Sequence, residues 1–298
     1  MSLVINHNLM AMNSARNLGA SYGRLATSTR RLSSGLRVGT AADDAAGLAI
    51  RELMRAEITT MNQGIRNAND AISMIQTADG SLSVIDEKLI RLKELAEQAA
   101  TGTYNSDQRL MIDSEFQAMV SEITRIAMAT DFNGVKLLDG SLSADPTRPI
   151  NEQHNGTGLQ PTGPMKVHFG TGNDSSEDYY FISVGNSTAS ALLNGFVSVS
   201  TQTGAQQALA RINAGIISKD NIRGALGALQ NRLENTISNL SIMAENLQAA
   251  ESRISDVDVA QEMTEFVRNQ ILTQAAVAML AQANSLPRMA MQLIGGGG

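Results

Sequence analysis

Residues 226–257 read LGALQNRLENTISNLSIMAENLQAAESRISDV, and their spacing decides the fold class. Leu226, Leu229, Leu233, Thr236, Leu240, Met243, Leu247, Ala250, Ile254 and Val257 recur in alternating steps of three and four, with one polar interruption. An α-helix turns once in about 3.6 residues, so this period lays the whole set along one narrow stripe. Sustained over successive heptads, it predicts a coiled-coil helix.

The same period occurs upstream. Leu18, Tyr22, Leu25, Leu32 and Leu36 fit the alternation, with Thr29 in the open slot. Another seam runs Ile58, Met61, Ile65, Ala68, Ile72 and Ile75, then resumes as Ala78, Leu82, Ile85, Leu89 and Leu92 after two successive steps of three. That slip predicts a stammer, a local overwinding. A continuous helix from Asp43 to Ala100 would be roughly 85 Å long at 1.5 Å per residue. Thr101-Gly102-Thr103 breaks it, and Asn105 or Ser106 is placed to cap the next helix, whose seam is Ile112, Phe116, Met119, Ile123 and Ile126.

Between these halves, residues 131–200 are rich in Gly, Asn, Ser, Thr and Pro. Apolar and polar residues alternate in Lys166-Val167-His168-Phe169 and around Tyr179–Val184, and Asn133-Gly134 is a tight-turn signal. The expected architecture is mainly α: a long antiparallel coiled-coil rod formed by the N- and C-terminal halves, with a small β-hairpin region at mid-chain, at the tip of the rod. Residues Ile58, Ile65, Ile72, Leu82, Leu89, Leu226, Leu233, Leu240, Leu247 and Ile254 are its expected coiled-coil core.

Composition fits long helices meeting along thin aliphatic seams. Among 298 residues there are four Tyr, six Phe, no Trp and no Cys. Aromatic side chains fill large cores and cradle small ligands, so their scarcity speaks against both. Without Cys there is no disulfide framework and no thiolate metal site. A net charge of −6 is wrong for a nucleic-acid binder. No membrane span is expected, since the closest case, the uncharged run from Asn269 to Pro287, carries Gln270, Gln274, Gln282 and Asn284. Met1 is not followed by a signal-peptide pattern, so export would need a route that leaves the N-terminus uncleaved.

Charge is uneven. Residues 1–42 hold Arg16, Arg24, Arg30, Arg31 and Arg37 but no acid, whereas the segment from Ser255 holds Asp256, Asp258, Glu262 and Glu265. The two ends can therefore lie together without repulsion.

No catalytic constellation, cofactor site or metal site is read from the chain. His7, His154 and His168 are isolated, and His168 fits a surface position on a strand. Gly156-Thr157-Gly158 lacks the third Gly of a dinucleotide loop. Gly185–Ala189 lacks the final Gly of a nucleophile elbow. Asp43-Asp44 reads as a pair of dipole partners at a helix start. The fifteen Met residues mostly fall at helical spacing, where they pack. Asn155, Asn173 and Asn186 head glycosylation sequons, which are short enough to arise by chance.

Arg31-Leu32-Ser33-Ser34-Gly35-Leu36-Arg37, followed by Ala41-Ala42-Asp43-Asp44-Ala45-Ala46-Gly47-Leu48-Ala49-Ile50, closely resembles the N-terminal signature of bacterial flagellin. Asp131–Gly140 resembles that family's first hairpin, and Leu226–Ile237 and Ala278–Asn284 resemble its C-terminal half. Departures are the four terminal Gly, where the family usually ends in a Leu-rich tail, and Ala276, where a Gly is often found.

The resemblance implies a non-enzymatic, secreted subunit that polymerises into the helical filament of the flagellum, serving motility. It implies an inner filament-core domain of 1–43 with 255–298, and an outer rod domain of 44–254. It further implies an export chaperone, hook-junction proteins and a filament cap as partners beside the homopolymer itself. A Toll-like innate immune receptor is a further implied partner, with Leu89, Arg91 and Glu115 at the contact.

The terminal helices carry few charges and thin seams, so they should find full burial only among copies of themselves. The expected polymerisation seam is Leu18, Leu25, Leu32, Leu36, Ile271, Leu272, Met279 and Leu280. Two other readings are a hook–filament junction protein, with the same end-to-end plan, and a membrane-inserting helical protein using the uncharged C-terminal run.

Overall fold

The structure is a computed structural model that describes residues 7–144, 162–174 and 177–295. Along the chain these form helices α1 (Leu9–Ser34), α2 (Ala45–Ala100) and α3 (Ser106–Ala129), then strands β1 (Asp131–Phe132), β2 (Val135–Lys136), β3 (Met165–His168) and β4 (Tyr179–Ile182). A single helical turn, α4 (Ala189–Leu192), precedes the long helices α5 (Gln202–Ser255) and α6 (Val259–Gly295). The fold is mainly α with two small antiparallel strand pairs. His154, Gly156-Thr157-Gly158, the sequon at Asn155, Ser175 of the sequon at Asn173, and Gly296–Gly298 lie outside the described residues.

The chain divides into two compact units, Met1–Ala56 with Glu245–Gly298, and Glu57–Ala244. This division falls inside α2 and α5, which cross it without a break. The sequence placed its boundary at 43/44 and 254/255, in the breaks between helices.

Within Glu57–Ala244 the core is aliphatic. Along α2 the buried positions of this unit are Met61, Gly64, Ala68, Ala71, Met74, Ile75, Ala78, Leu82, Ile85, Leu89, Leu92, Leu95, Ala96 and Ala99. One stripe of them, Met61 to Ala99 by way of Gly64, Ala71, Ile75 and Leu92, alternates in steps of three and four with Met74 and Leu95 beside it, so the expected stammer does not occur along that stripe. Gly64 and Ala71 take the slots expected for Ile65 and Ile72, which are half-buried. The cause at Gly64 is close approach: a Cβ there would stand 2.0 Å from the carbonyl oxygen of Phe169. Only a residue without a side chain fits.

Asn105 caps α3 through a capping box with Gln108, which settles the choice between Asn105 and Ser106. Helix α3 then runs back beside α2. Arg109 Nε donates to Ala99 O at 3.0 Å, and further along Arg91 pairs with Glu115 at 2.7 Å. The 24 residues of α3 carry the chain back by about 36 Å before β1 begins. The β region therefore packs beside the Gly64–Met74 stretch of α2, not at a tip as expected. Asn67 Nδ2 holds the carbonyl of His168 at 2.9 Å there.

Asn133 and Gly134 have φ of 51° and 81°, which makes the β1–β2 connection a two-residue turn of the kind that matches strand twist. In the second pair, His168 stacks on Tyr179 at 6.0 Å and is half-buried. Lys166 lies 3.6 Å from the Tyr179 ring centroid, and Arg232 of α5 covers Tyr180 at 3.7 Å. These cation–π contacts tie the hairpin surface together and to the helix.

On α5, Leu226, Leu233 and Leu240 are buried, whereas Met243 is largely exposed and its neighbour Ala244 faces inward. Extending the Leu226 stripe back one heptad reaches Lys219, which is also buried. Its ammonium lies 2.6 Å from Asp86 and 2.7 Å from Asp220, and Arg223 pairs with Asp79 at 2.6 Å. Charges at interior slots of an aliphatic seam fix axial register, because a slipped helix would leave a buried ammonium unpaired.

Candidate assembly interface

In the other unit, the first helix of the chain packs against the last, α1 on α6. Asn8 caps α1 by accepting from Ala11 N at 3.0 Å, and its Nδ2 donates to Ala283 O at 2.8 Å. At the opposite end of the pair, Arg31 reaches Glu262 at 3.6 Å. The helices are therefore antiparallel, and the basic and acidic ends meet as their charges require.

The motif Arg31–Arg37 closes this pair. Gly35 takes the left-handed conformation at φ 72° and ends α1, its N–H donating to Arg31 O at 2.8 Å. The chain then forms a bridge between Leu36 and Asp256. Arg37 N donates to Ser255 O at 2.7 Å, Arg37 Nη2 to Ile254 O at 2.6 Å, and Val257 N to Gly35 O at 3.0 Å. Arg37 thus satisfies the carbonyls left open where α5 ends. Asp258 restarts the helix as α6 by accepting from Ala260 N and Gln261 N.

The Asp43-Asp44 pair is structural as well. Asp44 accepts from Gly47 N at 2.9 Å and starts α2, while Asp43 accepts from Thr40 and pairs with Arg30 at 2.6 Å. The Thr40 hydroxyl, aided by Arg30, holds the Asp43 carboxyl below its ordinary range.

What the helix pair buries is unusual. The buried residues of α1 are Ser21 and Ser28, and Ala11, Ser14, Leu18, Leu25 and Leu32 complete their stripe half-buried. The inward stripe of α6 is Phe266, Asn269, Thr273, Ala276, Leu280 and Ala283. Both follow the heptad, but small and polar residues alternate with the few aliphatic ones. Tyr22 and Thr29, expected in the α1 seam, are exposed. Large apolar side chains point outward instead: Leu9, Met12, Val259, Ile271 and Met279 are each more than half exposed.

The expected polymerisation seam accordingly divides in two. Leu18, Leu25, Leu32, Leu36 and Leu280 are half-buried within the unit, while Ile271, Leu272 and Met279 stand exposed. Of the coiled-coil residues, Leu82, Leu89, Leu226, Leu233 and Leu240 are buried, and Ile58, Ile65, Ile72, Leu247 and Ile254 are half-buried. At the expected receptor contact, Leu89 is 0 % exposed, which excludes a surface role for it. Arg91 and Glu115 are exposed and bonded to each other, and Arg91 also reaches Glu94 at 2.9 Å.

Elsewhere, a 390 Å³ cleft between α2 and the strands is lined by Asn67, Asp70, Met74, Phe132, Val135 and His168 among others. Ser187 is buried with its hydroxyl donated to Gly185 O at 3.3 Å. Among the described residues no group of three or more His, Asp or Glu is placed to hold a metal, and no helix is long and apolar enough to cross a membrane.

Two family models match the chain. Residues 5–143 match the bacterial flagellin N-terminal helical region, and residues 209–294 match the bacterial flagellin C-terminal helical region. A flagellin of Halalkalibacterium halodurans is 42% identical over 292 residues, covering 98% of this chain and 100% of that one. A flagellin of Bacillus subtilis is 40% identical, covering 97% and 99%. A flagellar filament 33 kDa core protein of Treponema phagedenis is 38% identical, covering 98% and 100%. Among solved structures, Bacillus cereus flagellin aligns with a TM-score of 0.47 at 26% identity, over 62% of this chain and 94% of that one.

Proposed function

The chain belongs to the bacterial flagellin family, and from that premise we propose that it forms the flagellar filament through the outward apolar faces of α1 and α6. As a flagellin it is a structural subunit of the filament outside the cell, and its polymer serves motility. The observation that carries the finer reading is the inversion in the terminal helix pair: Ser21, Ser28, Asn269 and Thr273 lie inside while Leu9, Ile271 and Met279 lie outside.

Apolar faces of this extent are covered by a partner in a stable protein. When the partner is another copy and the contact is heterologous, the assembly grows as an open helix. The seam is therefore assigned in two layers. Leu18, Leu25, Leu32, Leu36 and Leu280 hold the pair together, and Ile271, Leu272 and Met279 face neighbouring copies. The unit containing the chain ends forms the filament core and Glu57–Ala244 the outer domain. The subunit carries out no catalysis, with an export chaperone, hook-junction proteins and a cap as further partners.

Removing residues 1–36 or 269–298 is expected to abolish elongation from short seeds, followed by light scattering and electron microscopy, while Glu57–Ala244 keeps its helical spectrum. Normal elongation by either truncated chain would overturn the reading. For the receptor contact, Arg91 and Glu115 remain as an exposed ionic pair. Arg91→Ala with Glu115→Ala is expected to weaken binding to a Toll-like receptor ectodomain. Unchanged binding would remove that partner.

A further inference from the structure

Sulfur in this chain is confined to methionine, because it has fifteen Met and no Cys. In Glu57–Ala244 some of it lies in the core, with Met61 and Met74 buried. Met111, Met128 and Met243 of that unit are exposed, and so are five methionines of α1 and α6. Met10 is 49%, Met12 65%, Met263 44%, Met279 57% and Met289 46% exposed. Among the described side chains, the inward stripes of these two helices hold no Met.

The hydrogen bond from Asn8 to Ala283 O sets the start of α1 beside this part of α6, so Met10, Met12 and Met279 gather at one level of the pair. Met10 and Met12 are two residues apart, about 200° around the helix, so their thioethers face different sides. Neighbouring copies approaching from more than one direction would meet a sulfur.

We propose that these five methionines are a reversible oxidation site that controls assembly, with hydroperoxides as the oxidant. The inference rests on α1 and α6 being the assembly faces. In the reaction, a thioether sulfur lone pair attacks the terminal oxygen of hydrogen peroxide and the O–O bond breaks. A sulfur–oxygen bond forms and water leaves, so sulfur loses two electrons and the peroxide gains them. With no thiol in the chain, nothing more nucleophilic intercepts the oxidant.

The product replaces a flexible apolar side chain with a strong dipole that must keep its hydrogen bonds to water. Inside one subunit this disturbs little, because the oxidised groups already face solvent. Between subunits it leaves a polar group buried in an apolar contact. Oxidised monomer is thus held out of the polymer, while in finished filament the same sulfurs are covered. Methionine sulfoxide is reduced by two enzymes, one for each sulfur epimer, so the block is reversible.

The test uses the full chain. Monomer is treated with hydrogen peroxide, the sulfoxides are located by peptide mass spectrometry, and elongation from untreated seeds is measured. Met10, Met12, Met263, Met279 and Met289 are expected to oxidise before Met61 and Met74, and elongation to slow by about tenfold or more. Both sulfoxide reductases with dithiothreitol should restore it. Preformed filament given the same dose should keep these five as thioethers.

Variants are compared as the ratio of treated to untreated rate, each against itself. Met12→Leu with Met279→Leu should make elongation less sensitive to peroxide, and Met111→Leu with Met128→Leu should not. Oxidised monomer elongating at the untreated rate, or slowed monomer that the reductases fail to restore, would overturn the switch. So would filament whose five sulfurs oxidise as fast as those of monomer. Elongation by chain lacking residues 269–298 would instead overturn the assembly reading beneath it.

Discussion

The two units of this molecule use the same heptad period for opposite ends. In Glu57–Ala244 the stripe carries Ile75, Leu82, Ile85, Leu89 and Leu92, all buried against other apolar residues of that unit. In the terminal pair the stripe carries Ser21, Ser28, Asn269 and Thr273, and the large aliphatic residues lie on the outer surface. One unit spends its apolar area on its own stability, and the other leaves much of it on its surface. A period therefore tells where a helix touches something, but only the residues at the contact tell how strongly.

The contrast is sharpest when equivalent truncations are made in both units. Leu82→Ala removes a 0 % exposed side chain and should destabilise its unit by about 3–4 kcal/mol in denaturant melts. Ile271→Ala, at 59% exposure, should change monomer stability by no more than about 0.5 kcal/mol yet slow elongation from seeds. If Ile271→Ala destabilised the monomer as much as Leu82→Ala, the inversion between the units would be lost.

A smaller effect tests the polar seam between α1 and α6. Ser21→Leu or Ser28→Leu puts an apolar residue into a seam sized for a hydroxymethyl group. Overpacking should cost about 1–3 kcal/mol, read as earlier melting of the terminal pair by hydrogen exchange. A stabilised pair would mean that the polar seam is not set by the distance between the helices.

The smallest expected effect concerns the ions in the larger unit. Burial alone would weaken proton binding by Lys219, but its hydrogen bonds to Asp220 and Asp86 prevail and raise its pKa above the ordinary lysine value. A folded pKa above the unfolded one gives stability that is complete at neutral pH and is lost as pH rises through the folded value. The melting temperature should therefore fall on the alkaline side of the lysine range, and fall less in Lys219→Met. An alkaline decline of the same size in Lys219→Met would place its cause elsewhere.

Helix existence, the break at Thr101–Thr103, the turn at Asn133-Gly134 and the family were legible from the chain. Each depends on short-range rules: helical period, capping chemistry, and left-handed backbone at Asn-Gly. The expected functional residues were legible only as a set, because a sequence pattern cannot say which side of a weakly amphipathic helix is covered. The buried ions were missed for a related reason. A charged residue reads as solvated face, and only the heptad extended back from Leu226 marks Lys219 as interior.

What the tertiary structure alone decided is which of two adjacent slots faces inward. At 21 over 22, 28 over 29, 64 over 65 and 71 over 72 the inner place went to Ser, Ser, Gly and Ala, not to Tyr, Thr, Ile and Ile. Adjacent residues are about 100° apart around the helix, so hydrophobicity favours the larger member of each pair. At Gly64 packing distance overrules it. Where two backbones come close, as Gly64 does to Phe169, only the smaller side chain fits, and the larger one turns toward whatever lies beside the seam.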